Sequence, residues 1–160
     1  MAISQKITTC LWFDNQAEAA ANFYCSVFKN SEVGTIARYG EAGPGPTGDA
    51  MLVIFKLEGR EFMGLNGGPK FKFTEATSLV VHCEDQDEID YFWEQLTADG
   101  GQESQCGWLK DKFGLSWQIV PAIIGELMSG EPEKSSRVMQ AVMPMKKLNI
   151  QKMKDAYDGK

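Results

Sequence analysis

"CGWLKDKFGLSWQIVP", residues 106–121, decides how the rest of the chain is read. Trp108 and Leu109 run into Lys110-Asp111-Lys112-Phe113-Gly114, and Leu115 to Val120 return as a second apolar run. A glycine closing an Asp-containing turn supplies the positive φ of a bulged hairpin, so the stretch predicts two strands. Gln118 falls in mid-strand, in a run otherwise fit for burial, where an amide must find a partner. It is either a structural hydrogen bonder or the remnant of a metal site.

Working outward, the elements around this hairpin repeat an order already present upstream. "KITTCLWF" alternates Ile7, Thr9, Leu11 and Phe13 on one face of a strand. "NQAEAAANFYCSVF" follows with Ala20, Phe23, Tyr24 and Val27 at helical spacing, and Asn15 with Glu18 forms a candidate capping box. "EVGTIARYG", "AMLVIFKLEG" and "REFMGLN" then give three strands, an order of β-α-β-β-β. "TSLVVHC" starts the order again, and "EDQDEIDYFWEQLTADGG" gives a helix with Ile89, Phe92, Trp93 and Leu96 inward. An offset of 69 maps Thr9 on Ser78, Phe13 on His82 and Tyr24 on Trp93, while one of 55 maps Gly59 on Gly114 and Met63 on Gln118. The Gly- and Pro-rich "GEAGPGPTGD", residues 40–49, accounts for the difference as an insertion in the first copy.

Two copies of one supersecondary unit predict an α+β fold in which two βαβββ modules form a curved mixed sheet around a cleft. The expected boundaries are module one 1–68, module two 69–121 and a C-terminal helical extension 122–160, all within a single domain. In that extension Val138, Ala141, Val142 and Met145 share a helix side, Pro144 kinks or ends the helix, and "LNIQKMKDAY" makes a short last one.

Composition narrows the function classes. The net charge of −6 argues against nucleic acid and anionic membranes as partners, since both need clustered Lys and Arg. No apolar run approaches the roughly 18 residues of a transmembrane helix or begins the chain as a signal peptide, so the expected location is cytoplasmic. Cys10, Cys25, Cys83 and Cys106 show no C-x-x-C spacing and read as buried, reduced thiols. No P-loop occurs, and "DNQAEA" after the first strand lacks the Gly-rich turn that many S-adenosylmethionine enzymes place there.

"LWFDNQAEAAANFYCSVFKNS", "FMGLNGGPKFKFTEA", "CGWLKDKFGLSWQIVP" and the tail "VMQAVMPMKKLNIQKM" together resemble the PhnB-like branch of the vicinal oxygen chelate superfamily. That superfamily includes glyoxalases, bleomycin-resistance proteins and extradiol dioxygenases, and the branch often carries the label 3-demethylubiquinone-9 3-methyltransferase. The resemblance implies a homodimer. It also implies that metal-dependent members draw a ligand from the first and last strand of each half, places held here by Thr9, Met63, Ser78 and Gln118. Hydroxyls, a thioether and a neutral amide are poor partners for zinc, iron or manganese, which want imidazole and carboxylate. With one histidine in the chain, the expectation is no metal and no cofactor.

The candidate ligand-binding residues are therefore Thr9, Phe13, Glu61, Met63, Ser78, His82 and Gln118. His82 shares strand parity with Ser78 and offers acid–base capacity, although no nucleophile stands beside it; Glu61 has the parity of Met63. Three functions follow: a metal-free binder of a small, largely apolar metabolite; a metal-dependent glyoxalase- or dioxygenase-like enzyme; or an interaction protein with a filled cleft. A methyltransferase is disfavoured. Whether any reaction is catalysed stays open at this point.

Overall fold

A computed structural model of the protein describes residues 5–160. The chain divides into two compact units, residues 1–73 and 74–160, each with its own four-stranded mixed sheet in an α+β arrangement.

In the first unit β1 (Thr9–Phe13) is followed by α1 (Ala17–Val27), β2 (Glu32–Arg38), β3 (Ala50–Leu57) and β4 (Arg60–Asn66). The sheet order is β1-β4-β3-β2, with β1 parallel to β4 and the remaining pairs antiparallel. Helix α1 packs on β3 and β4 and buries Ala17, Ala20, Ala21, Tyr24 and Val27 against Leu11, Phe13, Val53 and Phe55. Small residues let the helix approach closely: a Cβ on Gly64 would lie 3.2 Å from that of Ala17. The capping box expected at Asn15 and Glu18 does not form. The N-cap is Gln16, without a side-chain cap bond, and the Ala17 amide is met from across the sheet by Asn66 Oδ1 at 2.8 Å. A tertiary amide has replaced the local cap, and Asn66 also donates to Ala50 O at 2.9 Å.

The loop 40–49 carries no strand or helix. Two backbone bonds, Tyr39 N to Asp49 O and Gly48 N to Tyr39 O, close its base.

The second unit repeats the order with β5 (Ser78–Cys83), α2 (Gln86–Thr97), β6 (Gln102–Glu103), β7 (Trp108–Lys110) and β8 (Ser116–Pro121). Its sheet runs β5-β8-β7-β6, again with the first and last strands parallel. Asp85 caps α2 by accepting from Glu88 N at 2.9 Å, while the Glu88 carboxylate reaches back to Glu84 N at 2.8 Å. Ile89, Trp93 and Leu96 are buried as expected; Phe92 is only half-buried.

The β7–β8 turn is held by one side chain. Asp111 is 3% exposed and accepts from Phe113 N at 2.8 Å, Leu115 N at 3.1 Å and Trp117 Nε1 at 2.8 Å. Gly114 takes φ +87°, the left-handed conformation read from the sequence.

Beyond β8 come α3 (Ile124–Ser129), α4 (Pro132–Val142) and α5 (Ile150–Asp158), with α4 ending just before Pro144. They close a second core of Val120, Leu127, Val138, Val142, Leu148 and Met153. Two backbone bonds, Cys106 N to Met145 O at 2.7 Å and Gly107 N to Lys146 O at 2.8 Å, tie this segment to the sheet.

Superposing the repeat in register corrects one offset. The helices match at 69, Tyr24 with Trp93 and Val27 with Leu96, and the last strands match at 55. The first strands match at 70: Phe13 corresponds to Cys83, both buried beneath their helices, and Trp12 corresponds to His82. The cause is one additional residue in the turn between β1 and α1 compared with the turn between β5 and α2. Because side chains alternate across a strand, a one-residue slip exchanges its two faces.

Candidate functional site

Each sheet has one face under its helix and one face without it, and the corrected register sorts the candidate residues between them. In the first unit Thr9, Leu11 and Phe13 share parity with Phe62, Gly64 and Asn66 on the α1 side. Phe13 is 3% exposed and meets Phe73 edge-on, with ring centroids 5.3 Å apart. Thr9 is exposed at the strand end, in a hollow it lines with Gln5, Ile7, Arg60 and Glu61. Met63 and Glu61 lie on the opposite face with Cys10, Trp12, Leu52, Ile54 and Leu65. The structure therefore does not bring Thr9 or Phe13 together with Met63. Gln5 braces the neighbouring strand, its amide donating to Glu61 O at 3.0 Å and accepting from Glu61 N at 3.2 Å.

In the second unit the expected residues do converge. Ser78, Val80 and His82 share the face opposite α2 with Ser116 and Gln118, and β7 adds Trp108 and Lys110. Gln118 Nε2 donates to Ser78 Oγ at 2.9 Å, which answers the question raised by the mid-strand amide: its partner is a hydroxyl of the neighbouring strand. The bond leaves the Gln118 carbonyl as acceptor and the Ser78 hydroxyl proton as donor. Val80 stands between them and His82, 45% exposed for an apolar side chain in a strand. Sequence reasoning missed Trp108, Lys110 and Ser116, although counting the hairpin register outward from Gln118 locates all three.

Among the described residues no group of three or more His, Cys, Asp or Glu side chains stands close enough to hold a metal ion. The cysteines are free, and the expectation that all four are buried is corrected. Cys10 is exposed, Cys25 and Cys106 are half-buried, and Cys83 alone is buried. Desolvation, with Glu88 and Asp85 nearby, pushes the Cys83 thiol up to about 12, so it stays protonated at neutral pH.

The paired glycines of "LNGGPK" have a structural employment. A Cβ on Gly67 would fall 2.3 Å from the Trp12 ring, and Trp12 Nε1 donates to Gly68 O at 2.9 Å. The indole occupies the space that the glycines open.

Around loop 40–49 lies a hollow of about 560 Å3, lined by Asp14, Glu18, Arg38, Tyr39 and Asp49 among others. Its groups are engaged with one another. Arg38 meets Glu18 at 3.4 Å, and Tyr39 Oη donates to Asn66 O at 2.6 Å. No helix of the described residues is long and apolar enough to cross a membrane.

Comparison with known proteins agrees with this architecture. Residues 5–120 match the model of the family described as 3-demethylubiquinone-9 3-methyltransferase. The solved structure of the PhnB protein from Bacillus cereus is 43% identical, with a TM-score of 0.68, over 74% of this chain and all of that one. Protein PA1353 from Pseudomonas aeruginosa is 17% identical over 74% of this chain and 98% of that one, with a TM-score of 0.60. The fosfomycin resistance protein FosX from Listeria monocytogenes is 14% identical over 75% and 94%, with a TM-score of 0.50. At these two lower identities the likeness is one of fold. No curated protein matches the chain. The chain belongs to the 3-demethylubiquinone-9 3-methyltransferase family, the PhnB-like branch of the vicinal oxygen chelate superfamily.

Proposed function

We propose that the chain binds a small, largely apolar metabolite on the face of its second sheet opposite α2 and does so without a metal ion. The observation that carries this reading is the Gln118–Ser78 hydrogen bond of 2.9 Å, flanked by the exposed Val80 and the half-buried Trp108. An apolar surface with a few fixed, neutral polar groups suits a ligand that is mostly hydrocarbon with one or two hydrogen-bonding ends. His82 sits at the edge of that surface as a further polar contact.

The donor set argues against a metal centre of the superfamily type. A hydroxyl and an amide already bonded to each other, with one imidazole two strand positions beyond Val80, do not provide the imidazole and carboxylate donors that zinc, manganese or iron require. Methyl transfer in the Rossmann manner is also disfavoured, because the chain's glycine pair accommodates Trp12. Elemental analysis after refolding in excess Zn²⁺, Mn²⁺ and Fe²⁺ is expected to return substoichiometric metal; one equivalent retained through dialysis would remove the metal-free reading.

The ligand reading is tested by thermal shift against a chemically diverse metabolite panel. A ligand at about a hundred times its Kd stabilises the folded chain by roughly 2.7 kcal/mol, a readily measured rise in Tm. Gln118→Leu is expected to weaken the responding ligand about tenfold, the size of one hydrogen bond lost in a partly buried setting. A panel in which nothing shifts the wild-type transition favours an interaction protein instead.

A homodimer is part of the same proposal. Ile7, Phe71, Met139 and Met143 are exposed at 87%, 55%, 44% and 60%, apolar surface of the kind that association covers. Sedimentation velocity at micromolar concentration is expected to give twice the 17.8 kDa chain mass. A monomer across that range would refute it.

A further inference from the structure

The rows of the second sheet place a second polar cluster one step along β8 from Gln118. Ser78, Ser116 and Lys110 are register partners across β5, β8 and β7, and the next row holds Val80, Gln118 and Trp108. Beside Ser116 lies a depression of about 130 Å3, lined also by Glu75, Glu103, Trp108 and Lys110. Ser116 has no exposed surface, and its Oγ has no hydrogen-bond partner among the described residues. Leaving a buried hydroxyl unmet is costly, and such a group in a native fold calls for an explanation.

The spare capacity of the depression is donor capacity. Lys110 Nζ has three N–H groups and, among the described residues, contacts one acceptor, Glu75 Oε1, at 2.6 Å. Glu75 is 64% exposed. The lysine hydrogen bond and its own backbone amide hold its carboxyl below the usual range, so it sits there as an anion. The second carboxylate of the lining is already committed, since Glu103 Oε1 accepts from Trp93 Nε1 at 2.7 Å and Oε2 lies 3.8 Å from Lys146 Nζ. What remains is an ammonium with donors to spare, an unmet hydroxyl, and a carboxylate of the same chain resting on the ammonium.

We infer that Lys110 and Ser116 form a subsite for the carboxylate of the metabolite, and that Glu75 is the internal occupant which the ligand displaces from Lys110. The inference rests on the metabolite reading above and narrows it to an organic acid with an apolar body. The volume agrees: at about 30 Å3 per water-sized group it admits a carboxylate and one or two carbons. The apolar remainder must then run past Trp108 toward Val80 and Gln118. An oxyanion accepts from both donors at once, and charge-assisted bonds of this kind are about twice as strong as neutral ones.

The test uses the full chain with two matched probes, 3-phenylpropionate and 3-phenylpropionamide, followed by amide NMR titration and by Tm. The acid is expected to bind about tenfold more tightly than the amide, equivalent to roughly 1.4 kcal/mol, and to perturb Lys110, Ser116 and Trp108. Glu75→Gln should tighten the acid severalfold and leave the amide unchanged, because only an anion competes with Glu75. Lys110→Met should erase the preference for the acid. Ser116→Ala should weaken the acid while raising the Tm of the unliganded chain by roughly a few degrees, since it deletes an unmet buried hydroxyl. Equal binding of acid and amide around Val80 and Gln118, or an acid affinity indifferent to Glu75→Gln, would overturn the subsite and leave the broader metabolite reading standing. A fall in Tm for Ser116→Ala would also overturn it, by showing that the hydroxyl is structural. Absence of any response to either probe at Trp108 or Gln118 would remove both.

Discussion

Asp111→Ala is expected to lose about 4 kcal/mol of stability, because one buried carboxylate accepts from three donors at once. Two of them, Phe113 N and Leu115 N, are main-chain groups of the turn itself. The third is the indole of Trp117, 2% exposed in the middle of the core strand β8. Removing the carboxylate frees the turn and takes from the buried indole N–H the acceptor it meets at 2.8 Å. For a chain of this length such a loss lowers Tm by roughly 8–16 °C. Asp111→Asn should cost about half as much: its oxygen still serves the two amides, while its NH2 faces the indole donor for donor. Urea unfolding followed by tryptophan fluorescence separates the cases. An Asp111→Ala transition within about 1 kcal/mol of wild type would mean that Gly114 alone sets the turn.

Gly107→Ala carries the second large effect, about 3 kcal/mol. Gly107 has φ +84°, which costs an L-residue roughly 1–2 kcal/mol. A Cβ there would also lie 2.9 Å from the backbone oxygen of Ile119 and 3.1 Å from Leu148 Cδ1. The first neighbour is main chain of β8 and cannot turn aside, so overpacking adds to the conformational cost. Gly107 is moreover the joint at which residues 145 and 146 are tied to the sheet, so its displacement should loosen α5 and the core around Leu148 and Met153. Gly114→Ala is the control. Its φ is +87°, yet no atom lies within 4 Å of the added methyl, so it should lose only the conformational part. Equal losses in the two variants would show that the contact with Ile119 carries no cost. Hydrogen exchange in α5 should quicken in Gly107→Ala alone.

The periodic features of the chain were legible from sequence because each recurs several times within one element. Tyr24 and Val27 in α1, and Ile89, Trp93 and Leu96 in α2, are buried where helical spacing puts them. The hairpin at 111–115 was legible because its glycine and aspartate are each required by a particular turn geometry. The candidate site was read less evenly. Ser78, His82 and Gln118 do share a face, whereas Thr9 and Phe13 lie on the α1 side of their sheet, away from Met63. That difference arises from a single added turn residue, which the spacing of apolar positions in an alternating strand cannot reveal. Side-chain commitments were out of reach as well. Sequence offers Asn15 as a cap for α1, but Asn66, remote in the chain and brought near by β4, supplies the bond. That Ser116 goes without a partner among the described residues is a property of its neighbours on other strands, and no local pattern encodes it.

The extra residue between β1 and α1 has a consequence for anyone who exchanges parts between the halves. Transplanting β5 in place of β1 preserves inside and outside only if the two strands are matched end to end, Cys83 in the place of Phe13 directly before the turn. Aligned instead by the helix spacing of 69, His82 would take the buried place of Phe13 and Cys83 would be pushed into the turn. Duplicated halves of this sort are thus interchangeable when cut at a strand's end, whereas a junction counted back from the helix would yield a chain whose hydrophobic side faces outward.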